Sequence, residues 1–341
     1  MWHQVVDDYV RITAVAFSPP MDKTHIFLGD EQGAVYASTD YGDIWQQQFR
    51  LPKGDAITCI AISPNFSSDA TIFFGTQKSG VIKKVAAGGP YNVVSHGLFA
   101  PTVQAFEYIT SIAVSSHYRT DFTVFVSPWH AGVFRSDDGG EMWTKYSTGL
   151  TSNSQADRPS FKSPHFSEVR ISKNFPQDRT IFVACYDGLF KSTDAGNLWL
   201  AVETLSVKII MSLAIAPWSQ DRSIMAMTTL LGGAYLSEDQ GTTWGKINQG
   251  LSDVHLLDIA FSPNLPSDGA IFTISNTSFY RTTIQQKSWE QTKLGYWLLW
   301  MEKITKRRIE KNRLSQNAPF TRFGEETAFS YGNSGFAGFW L

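Results

Sequence analysis

The sequence predicts an all-β fold, a β-propeller built from four-stranded antiparallel blades, and three observations lead to this prediction. An eight-residue box, Ser-x-Asp-x-Gly-x-x-Trp, occurs four times and begins at Ser38, Ser136, Ser192 and Ser237. Short alternating or β-branched runs bounded by Gly, Pro, Asn, Asp and Ser, which are typical of strands, precede each box. The units recur at intervals of roughly 45 residues, the length of a four-stranded propeller blade.

Each repeating unit contains four predicted strands in a fixed order. An alternating strand with a turn, such as 57–66, precedes a β-branched run, such as 71–74. A glycine with a short apolar run, such as 33–36, leads into the box, and a last strand follows it. Two further units, at 84–91 and 282–289, keep this frame without a complete box. The pattern therefore predicts six units, and their radial repetition would leave only short, protected sheet edges.

We interpret the boxes as hairpin turns between the third and fourth strands, because one chemical site would not need four equivalent acids around a ring. The Ser and Asp oxygens can accept hydrogen bonds from backbone N–H groups of the same turn, and the Gly permits a positive φ. The Trp ring is large enough to pack between blades, and its N–H then requires a partner. The residues assigned this structural role are Ser38, Asp40, Gly42, Trp45, Ser136, Asp138, Gly140, Trp143, Ser192, Asp194, Gly196, Trp199, Ser237, Asp239, Gly241 and Trp244.

The four boxes and the Ser-Pro-Asn-Phe…Asp…Thr-Ile-Phe block at 63–73 resemble those of the Asp-box, or bacterial neuraminidase repeat, propellers. This family includes sialidases, xyloglucanases, sortilin-type receptor domains and photosystem II assembly-factor-like proteins. The resemblance covers residues 1 to about 294 and implies the propeller fold. It leaves the function open, because the family contains enzymes and pure binding proteins. The resemblance weakly favours an extracytoplasmic location. Because no signal peptide is visible in the sequence, the location is left open.

Both ends of the chain resemble parts of the repeating unit in sequence. Residues 1–6 resemble those that follow a box, as at 244–247. Near the other end, the sequence of residues 327–336 resembles that of residues 71–81, with one residue fewer. Ring closure by both termini would require such partial units.

We therefore predict a seventh, composite blade within a single domain of residues 1–341. Its first strand would come from 296–301, its middle strands from 327–341 and its outer strand from 2–6. The alternative is a six-bladed ring with an additional tail, or a chain cut from a longer protein. The sequence favours seven blades.

Residues 302–326 interrupt this pattern and are predicted to be an irregular or helical basic insertion. The stretch from Glu302 to Arg313 contains six Lys and Arg residues and only two Glu residues. One interpretation is that the stretch 297–313, which includes the aromatic residues just before the basic run, forms a basic amphipathic helix that contacts a membrane or a partner. The favoured interpretation is a solvated insertion.

Composition limits the classes of partner. A chain of 341 residues is long enough to bury a substantial core as one domain. The net charge of −2 argues against nucleic acid and anionic membranes as partners. No apolar stretch approaches the ~20 residues of a membrane-spanning helix. No metal or other cofactor is predicted, since no His, Asp and Glu group has a recognisable metal-ligand spacing.

The loops opposite the boxes are predicted to carry the ligand site, because binding residues concentrate on loops above a rigid frame. In an antiparallel blade the second turn and the link to the next blade share that face, and the resemblance implies the same side. Aromatic rings there would stack on a sugar ring or a peptide side chain, although each ring alone would equally suit packing against a neighbouring loop. His130 and His165 also suit ordinary surface positions. The ligand-binding candidates are Tyr108, Trp129, His130, Tyr186, Asp187, Arg158 and Lys78.

The sequence favours a non-catalytic scaffold that binds a protein or a carbohydrate, and it leaves the oligomeric state open. The alternative is a glycoside hydrolase of the sialidase type. Sialidases use a Tyr nucleophile, and their early Phe/Tyr-Arg-Ile-Pro motif is absent here, where the nearest string is Val10-Arg11-Ile12-Thr13. Other glycosidases need two carboxylates roughly 5–10 Å apart. Glu107, Asp187 and Asp30 are the candidates for that alternative.

Overall fold

The computed structural model describes residues 11–19, 25–52, 54–86, 88–98, 108–150, 165–203, 209–216, 224–262 and 265–292. These residues form six four-stranded antiparallel sheets, each made of four consecutive strands, as in six blades of a β-propeller. The predicted seventh blade and the basic insertion at 302–326 lie outside the described residues.

The blades follow one another along the chain. Blade 1 contains β1 (Ile12–Phe17), β2 (Ile26–Asp30), β3 (Ala34–Ser38) and β4 (Gln46–Arg50). Blade 2 contains β5 (Ile57–Ile62), α1 (Phe66–Asp69), β6 (Ile72–Thr76), β7 (Val81–Lys84) and β8 (Tyr91–Val93). Blade 3 contains β9 (Ile109–Val114), α2 (Tyr118–Asp121), β10 (Val124–Pro128), β11 (Phe134–Ser136) and β12 (Thr144–Lys145).

The second half of the ring repeats this order. Blade 4 contains β13 (Phe166–Ile171), α3 (Phe175–Asp178), β14 (Ile181–Cys185), β15 (Gly188–Ser192) and β16 (Leu200–Ala201). Blade 5 contains β17 (Ile210–Ile215), β18 (Met225–Thr229), β19 (Gly233–Ser237) and β20 (Gly245–Lys246). Blade 6 contains β21 (Leu256–Phe261), α4 (Leu265–Asp268), β22 (Ala270–Ser275), β23 (Phe279–Thr283) and β24 (Glu290–Thr292).

Every first strand carries a bulge at its second residue. A bulge bends a strand and increases its local twist. In three blades the bulged residue carries a hydroxyl that donates to a carbonyl at the start of the next blade; the pairs are Thr13 with Ile57, Thr58 with Ile109, and Ser167 with Ile210. Thr and Ser at this position therefore join neighbouring blades.

In blades 2, 3, 4 and 6 the described part of the loop between the first and second strands contains one helical turn, where the sequence predicted a plain turn. A serine before the turn donates its hydroxyl to the aspartate that ends it, and local side-chain bonds of this kind close a turn without a longer helix. These pairs are Ser63 with Asp69 at 2.7 Å, Ser115 with Asp121 at 2.6 Å, Ser172 with Asp178 at 2.6 Å, and Ser262 with Asp268 at 2.7 Å. No helix in the described ranges is long and apolar enough to cross a membrane.

The hydrophobic core lies between consecutive blades. Successive side chains of a strand point to opposite faces, so each blade buries one set against the blade before it and one against the blade after it. Phe73 of blade 2, for example, packs against Tyr118 and Trp143 of blade 3. Phe182 of blade 4 likewise packs in one cluster with Met225 of blade 5.

Box turns and helical turns lie on one face of the ring, as the sequence predicts. The N–H of Ala195 in a box bonds to the carbonyl of Arg179 at the end of α3, at 2.9 Å. The N–H of Gly139 bonds in the same way to Phe122 after α2, at 2.9 Å. The opposite face, here called the loop face, carries the loops between second and third strands and the links between blades.

Candidate functional site

The four boxes form one hydrogen-bonded turn, repeated. In each box the Ser hydroxyl donates to the Asp Oδ1 and accepts the N–H of the Gly; for Ser192 these distances are 2.7 Å to Asp194 and 2.9 Å to Gly196. The Asp Oδ1 also accepts the N–H of the seventh box residue, at 3.0 Å from Leu198. The same pairs occur in the other three boxes. Because these bonds stabilise the carboxylate, the pKa of each box Asp lies below its usual value, and the acids serve the turns.

Three of the four box tryptophans, Trp143, Trp199 and Trp244, pack in clusters that join two blades, and the indole N–H groups of the four have two kinds of partner. The indole N–H of Trp143 donates to the carbonyl of Val94 in the preceding blade at 2.6 Å, and that of Trp199 donates to Tyr146 at 2.9 Å. Trp45 and Trp244 instead donate to the Gly carbonyl of their own box, at 3.0 and 3.1 Å. The indole N–H is thus bonded to the preceding blade in blades 3 and 4, and within its own box in blades 1 and 5.

Five rings form a continuous cluster on the loop face, where blades 3 and 4 meet. We call Tyr108, Trp129, His130, His165 and Tyr186 the aromatic cluster. Trp129 lies at its centre, with ring centroids 6.1 Å from Tyr108, 6.0 Å from His130, 5.0 Å from His165 and 5.7 Å from Tyr186. His165 lies 4.5 Å from His130 and 5.1 Å from Tyr186. Four of these six contacts are edge-to-face, a geometry that aromatic pairs prefer, and the other two are tilted.

Backbone hydrogen bonds fix the segments that carry the cluster. The N–H of Trp129, just after β10, donates to the carbonyl of Tyr108, just before β9, at 2.8 Å. The N–H of Tyr186 makes the equivalent bond to His165 in blade 4, at 3.0 Å. The two blades are joined by the N–H of Phe166, which donates to the carbonyl of Trp129 at 3.1 Å. The rings are therefore held by the ends of first and second strands, which are rigid parts of the fold.

The aromatic cluster is partly open to solvent and carries little charge. His130 is exposed, whereas the other four rings and Asp187 are partly buried. Burial raises the pKa of Tyr108 to about 12 and raises that of Tyr186, so both phenols are neutral at physiological pH. Burial, with His130 nearby, lowers the pKa of His165, and Asp187 opposes this shift. Phenol hydroxyls, imidazole nitrogens and the Asp187 carboxylate thus surround apolar ring faces, a combination typical of small-ligand sites.

The structure brings together five of the seven predicted ligand-binding residues, namely Tyr108, Trp129, His130, Tyr186 and Asp187. Lys78 lies elsewhere, in the β6–β7 loop of blade 2, where its N–H donates to Oδ1 of Asp55 at 2.7 Å. Arg158 and the alternative catalytic candidate Glu107 lie outside the described residues. His165 completes the cluster, and its place in the link before a first strand was the only signal for it in the sequence.

Asp30, a candidate in the glycosidase alternative, is a fully buried residue that organises its own loop. Its Oδ1 accepts the N–H groups of Gln32 at 2.9 Å and Ala34 at 2.7 Å. Its Oδ2 lies 3.5 Å from the Tyr36 hydroxyl and 4.0 Å from Nη2 of Arg50. These contacts hold the β2–β3 turn, and no second carboxylate is among them.

A second polar cluster, which the sequence did not reveal, lies between the first strands of blades 4, 5 and 6. Arg170 pairs with Glu168 and also donates through Nε to the carbonyl of Leu213 at 3.0 Å. Ser212 donates its hydroxyl to Oδ1 of Asp258 at 2.6 Å. Burial raises the pKa of Asp258 to about 6, although Ser212, a backbone N–H and Arg170 oppose the shift.

An alignment of the first strands of the six blades shows how the residues of this cluster differ from those at the equivalent positions. At the position of Arg170 the other five blades have alanine: Ala16, Ala61, Ala113, Ala214 and Ala260. At the position of Glu168 they have Ala14, Cys59, Ser111, Ser212 and Asp258. One arginine among small residues was therefore the available signal. Within the described ranges no group of three or more His, Cys, Asp or Glu is arranged to hold a metal ion.

Comparison with known proteins gives likeness in structure alone. No protein-family model matches the chain, and no curated protein matches it in sequence. Among solved structures, an ancestral GH74 enzyme is 17% identical over 82% of this chain and 38% of that chain, with a TM-score of 0.62. The GH74 xyloglucanase from Xanthomonas campestris is 16% identical over 84% of this chain and 47% of its own, with a TM-score of 0.58.

The extracellular domain of a putative hybrid two-component system from B. thetaiotaomicron is also similar. It is 13% identical over 84% of this chain and 33% of that chain, with a TM-score of 0.55. The chain thus spans less than half the length of each of these three structures. All three are β-propeller proteins, and together with the six blades they establish the β-propeller fold for this chain.

Proposed function

We propose that this protein is a non-catalytic propeller of the Asp-box type that binds a carbohydrate through the aromatic cluster. The observation that carries the proposal is the convergence of five rings and one carboxylate from four separate segments of blades 3 and 4. A sugar ring presents an apolar C–H face and a rim of hydroxyls. The partly exposed indole and phenol rings would stack on the C–H face of the sugar. Asp187 and the imidazole nitrogens would form hydrogen bonds with its hydroxyls.

The structural neighbours favour a carbohydrate over a protein as the ligand. Two of the similar proteins are GH74 enzymes, and one of these is a xyloglucanase. A third is the extracellular domain of a putative two-component system, which is an example of the fold outside an enzyme. A propeller that binds a glycan without cleaving it fits both kinds of neighbour. The scaffold proposed for this role has seven blades, as the sequence predicts.

The arrangement of acids favours binding over hydrolysis. Asp187 is the one carboxylate beside the rings of the aromatic cluster among the described residues, and Asp30 is occupied by backbone N–H groups in blade 1. Glycosidase chemistry of the ordinary kind needs a pair of carboxylates across the scissile bond. The described part of the cluster holds only one.

A binding screen tests this proposal. The full-length protein would be presented to immobilised oligosaccharides, with xyloglucan fragments, cello-oligosaccharides and sialylated oligosaccharides as the first probes. We expect binding to at least one of them, with Trp129→Ala reducing affinity by about tenfold or more, which corresponds to ~1.4 kcal/mol. New reducing ends released by the wild-type protein would instead support the glycosidase. Retention of none of the probes, or equal retention by Trp129→Ala, would contradict the proposal.

A further inference from the structure

Three positions in each blade line the loop face. One is the residue directly before the first strand, and the other two are the residues directly after the second strand. In blades 1 to 5 the N–H of the first residue after the second strand donates to the carbonyl of the residue before the first strand, at 2.8–3.0 Å. This shared bond makes the positions equivalent from blade to blade, so the residues at them can be compared directly.

Blade 5 is the only described blade in which all three positions carry aliphatic side chains. They are Ile209, Leu230 and Leu231, which we call the aliphatic patch. Blades 3 and 4 carry the rings of the aromatic cluster and Asp187 at these positions. Blades 1 and 6 carry only polar or charged residues there, and blade 2 carries one alanine and two polar residues. The chemistry of the loop face thus changes from polar to aromatic to aliphatic between blades 2 and 5.

The aliphatic patch continues the aromatic cluster into blade 5. The N–H of Ile209 donates to the carbonyl of Tyr186 at 2.9 Å, and the N–H of Leu230 donates to the carbonyl of Ile209 at 3.0 Å. Leu231 follows directly and is 67% exposed, whereas Ile209 and Leu230 are partly buried. A ligand on the ring of Tyr186 would therefore meet aliphatic surface in the next blade.

The two leucines are not required by the turn that carries them. In blade 5 the hydroxyl of Thr229 accepts a backbone N–H three residues later at 2.9 Å and donates to a carbonyl four residues later at 3.1 Å. In blade 2 Thr76 makes the same two bonds, at 2.9 and 3.0 Å, around Gln77 and Lys78. The same turn therefore forms with polar side chains. Contiguous apolar side chains on such a fixed surface turn mark a contact site.

Ile209 adopts a backbone conformation that its own side chain disfavours. Its φ is 62°, in the left-handed region, where a branched side chain is crowded by the backbone. The hydrogen bonds to Tyr186 and Leu230 hold the residue in this conformation. Strain of this kind persists where the surrounding structure fixes it, and it is concentrated at ligand sites. The conformation of Ile209 therefore supports a binding role for the aliphatic patch.

We propose that the aliphatic patch binds an alkyl chain attached to the sugar, so that the ligand of this site is a glycoside with an aliphatic aglycone. This inference rests on the proposed function, because the sugar ring would occupy the aromatic cluster. A bare glycan would present hydroxyls to blade 5 and would offer its three aliphatic side chains no apolar partner.

An alkyl chain that leaves the sugar beside Tyr186 would cover the aliphatic patch. Each CH₂ group that is removed from water in this way would add to the affinity. Leu231 is open to solvent rather than enclosed. The patch therefore suits a chain that lies across it better than a small substituent, which would need a close-fitting pocket.

Titration calorimetry of the full-length protein with methyl and octyl β-cellobioside, below the concentration at which micelles form, tests the inference. We expect the octyl glycoside to bind about tenfold or more tightly than the methyl glycoside. Leu231→Lys should reduce this preference to about threefold or less, because a charge beside the alkyl chain opposes its burial. The matched control is Leu200→Lys, at a leucine of β16 that is 64% exposed, and it should keep the wild-type preference.

Several results would overturn the inference. They are equal affinity of the wild-type protein for the two glycosides, a preference that Leu231→Lys retains, a loss of preference that Leu200→Lys reproduces, and binding of neither glycoside. In the last case the oligosaccharide screen decides the proposed function by itself. Thermal unfolding checks that each variant is folded. Should Leu231→Lys not fold, Leu231→Ser removes the same apolar contact without adding a charge and decides in the same way.

Failure of the proposed function would look different from failure of this inference. A preference for the octyl glycoside that Leu231→Lys loses, together with an affinity that Trp129→Ala leaves unchanged, would remove the sugar from the aromatic cluster. The alkyl subsite would then stand without the sugar site. Binding of both glycosides with equal affinity, weakened by Trp129→Ala, would instead keep the sugar site and remove the alkyl subsite.

Discussion

The imidazole of His165 lies against the indole of Trp129, with 5.0 Å between ring centroids, although the two residues belong to different blades. His165 precedes the first strand of blade 4, and Trp129 follows the second strand of blade 3. The aromatic cluster therefore exists only while these two blades are packed together. Ligand binding at the cluster and the packing of blade 4 on blade 3 should stabilise each other.

The pH dependence of stability should report the position of His165. Its pKa is lowered in the folded protein, so between that value and about 6.5 the unfolded chain binds more protons than the folded one. The contribution of His165 to the free energy of unfolding is therefore fully present above pH 6.5. It is lost as the pH falls toward the folded-state pKa of this imidazole. Thermal unfolding from pH 7.5 to 5 should therefore show that the wild-type protein loses stability relative to His165→Asn as the pH falls, since the comparison cancels the contributions of other groups. A His165→Asn profile parallel to the wild type would contradict the assignment.

Asp258 should act in the opposite direction. Its folded-state pKa is raised to about 6, so the folded protein holds a proton that the unfolded chain releases near pH 4. The stability associated with this group is present below pH 4 and lost as the pH rises to about 6. As the pH rises from 4 to 7.5, the free energy of unfolding of Asp258→Asn should therefore increase by about 2 kcal/mol relative to that of the wild type. One pKa unit corresponds to about 1.4 kcal/mol. Urea unfolding at both pH values measures the gain, and a difference that does not change with pH would refute it.

Removal of Arg170 should be far more damaging than removal of the whole ion pair. Arg170→Ala leaves Glu168 in a buried site without its cation, and breaking such a pair costs about 3–5 kcal/mol. The double variant Glu168→Ser, Arg170→Ala reproduces the residues that blades 3 and 5 have at these positions. We expect it to recover most of the loss in a urea titration. Equal destabilisation of the single and double variants would show that the arginine is required for reasons other than its partner.

The boxes should contribute to stability alone. The hydroxyl of Ser192 is buried, donates to Asp194 and accepts the N–H of Gly196, so Ser192→Ala should cost about 1–2 kcal/mol. The neighbouring Thr193→Ala, at an exposed residue, should cost little. Thermal unfolding measures both changes. Oligosaccharide affinity should be the same in both variants, and a change confined to Ser192→Ala without loss of stability would place the box in the binding site.

The repeating parts of this fold were accessible from the sequence, and its exceptions were not. The boxes share one residue pattern, so the strand order, the turn at each box and the common face of the box turns followed from the spacing, whereas the hydrogen bond from Ser192 to Asp194 did not. The local partners of Trp45 and Trp244 did not follow, because the indole N–H can reach either its own turn or the preceding blade. The helical turns were also missed, since four residues are too few to show helical periodicity.

The candidate site was predictable to the extent that topology brings loop residues together. Trp129 and Tyr186 occupy equivalent positions after the second strands of adjacent blades, so their proximity followed from the ring. The pairing of Asp30 with its own loop was not predictable, because an acid in a turn looks the same whether it faces solvent or the backbone. Arg170 was missed because its meaning depends on the five alanines at equivalent positions, which only the strand register aligns.

Isothermal titration of the wild-type protein and two variants with the tightest-binding oligosaccharide tests the central claim most directly. We predict that Trp129→Ala weakens binding by about tenfold or more while its thermal unfolding stays cooperative, because the indole would supply the main stacking surface. Tyr41→Ala, at a box-turn tyrosine that is 75% exposed in blade 1, should bind like the wild type. Equal affinities for all three proteins would show that the aromatic cluster is not the binding site.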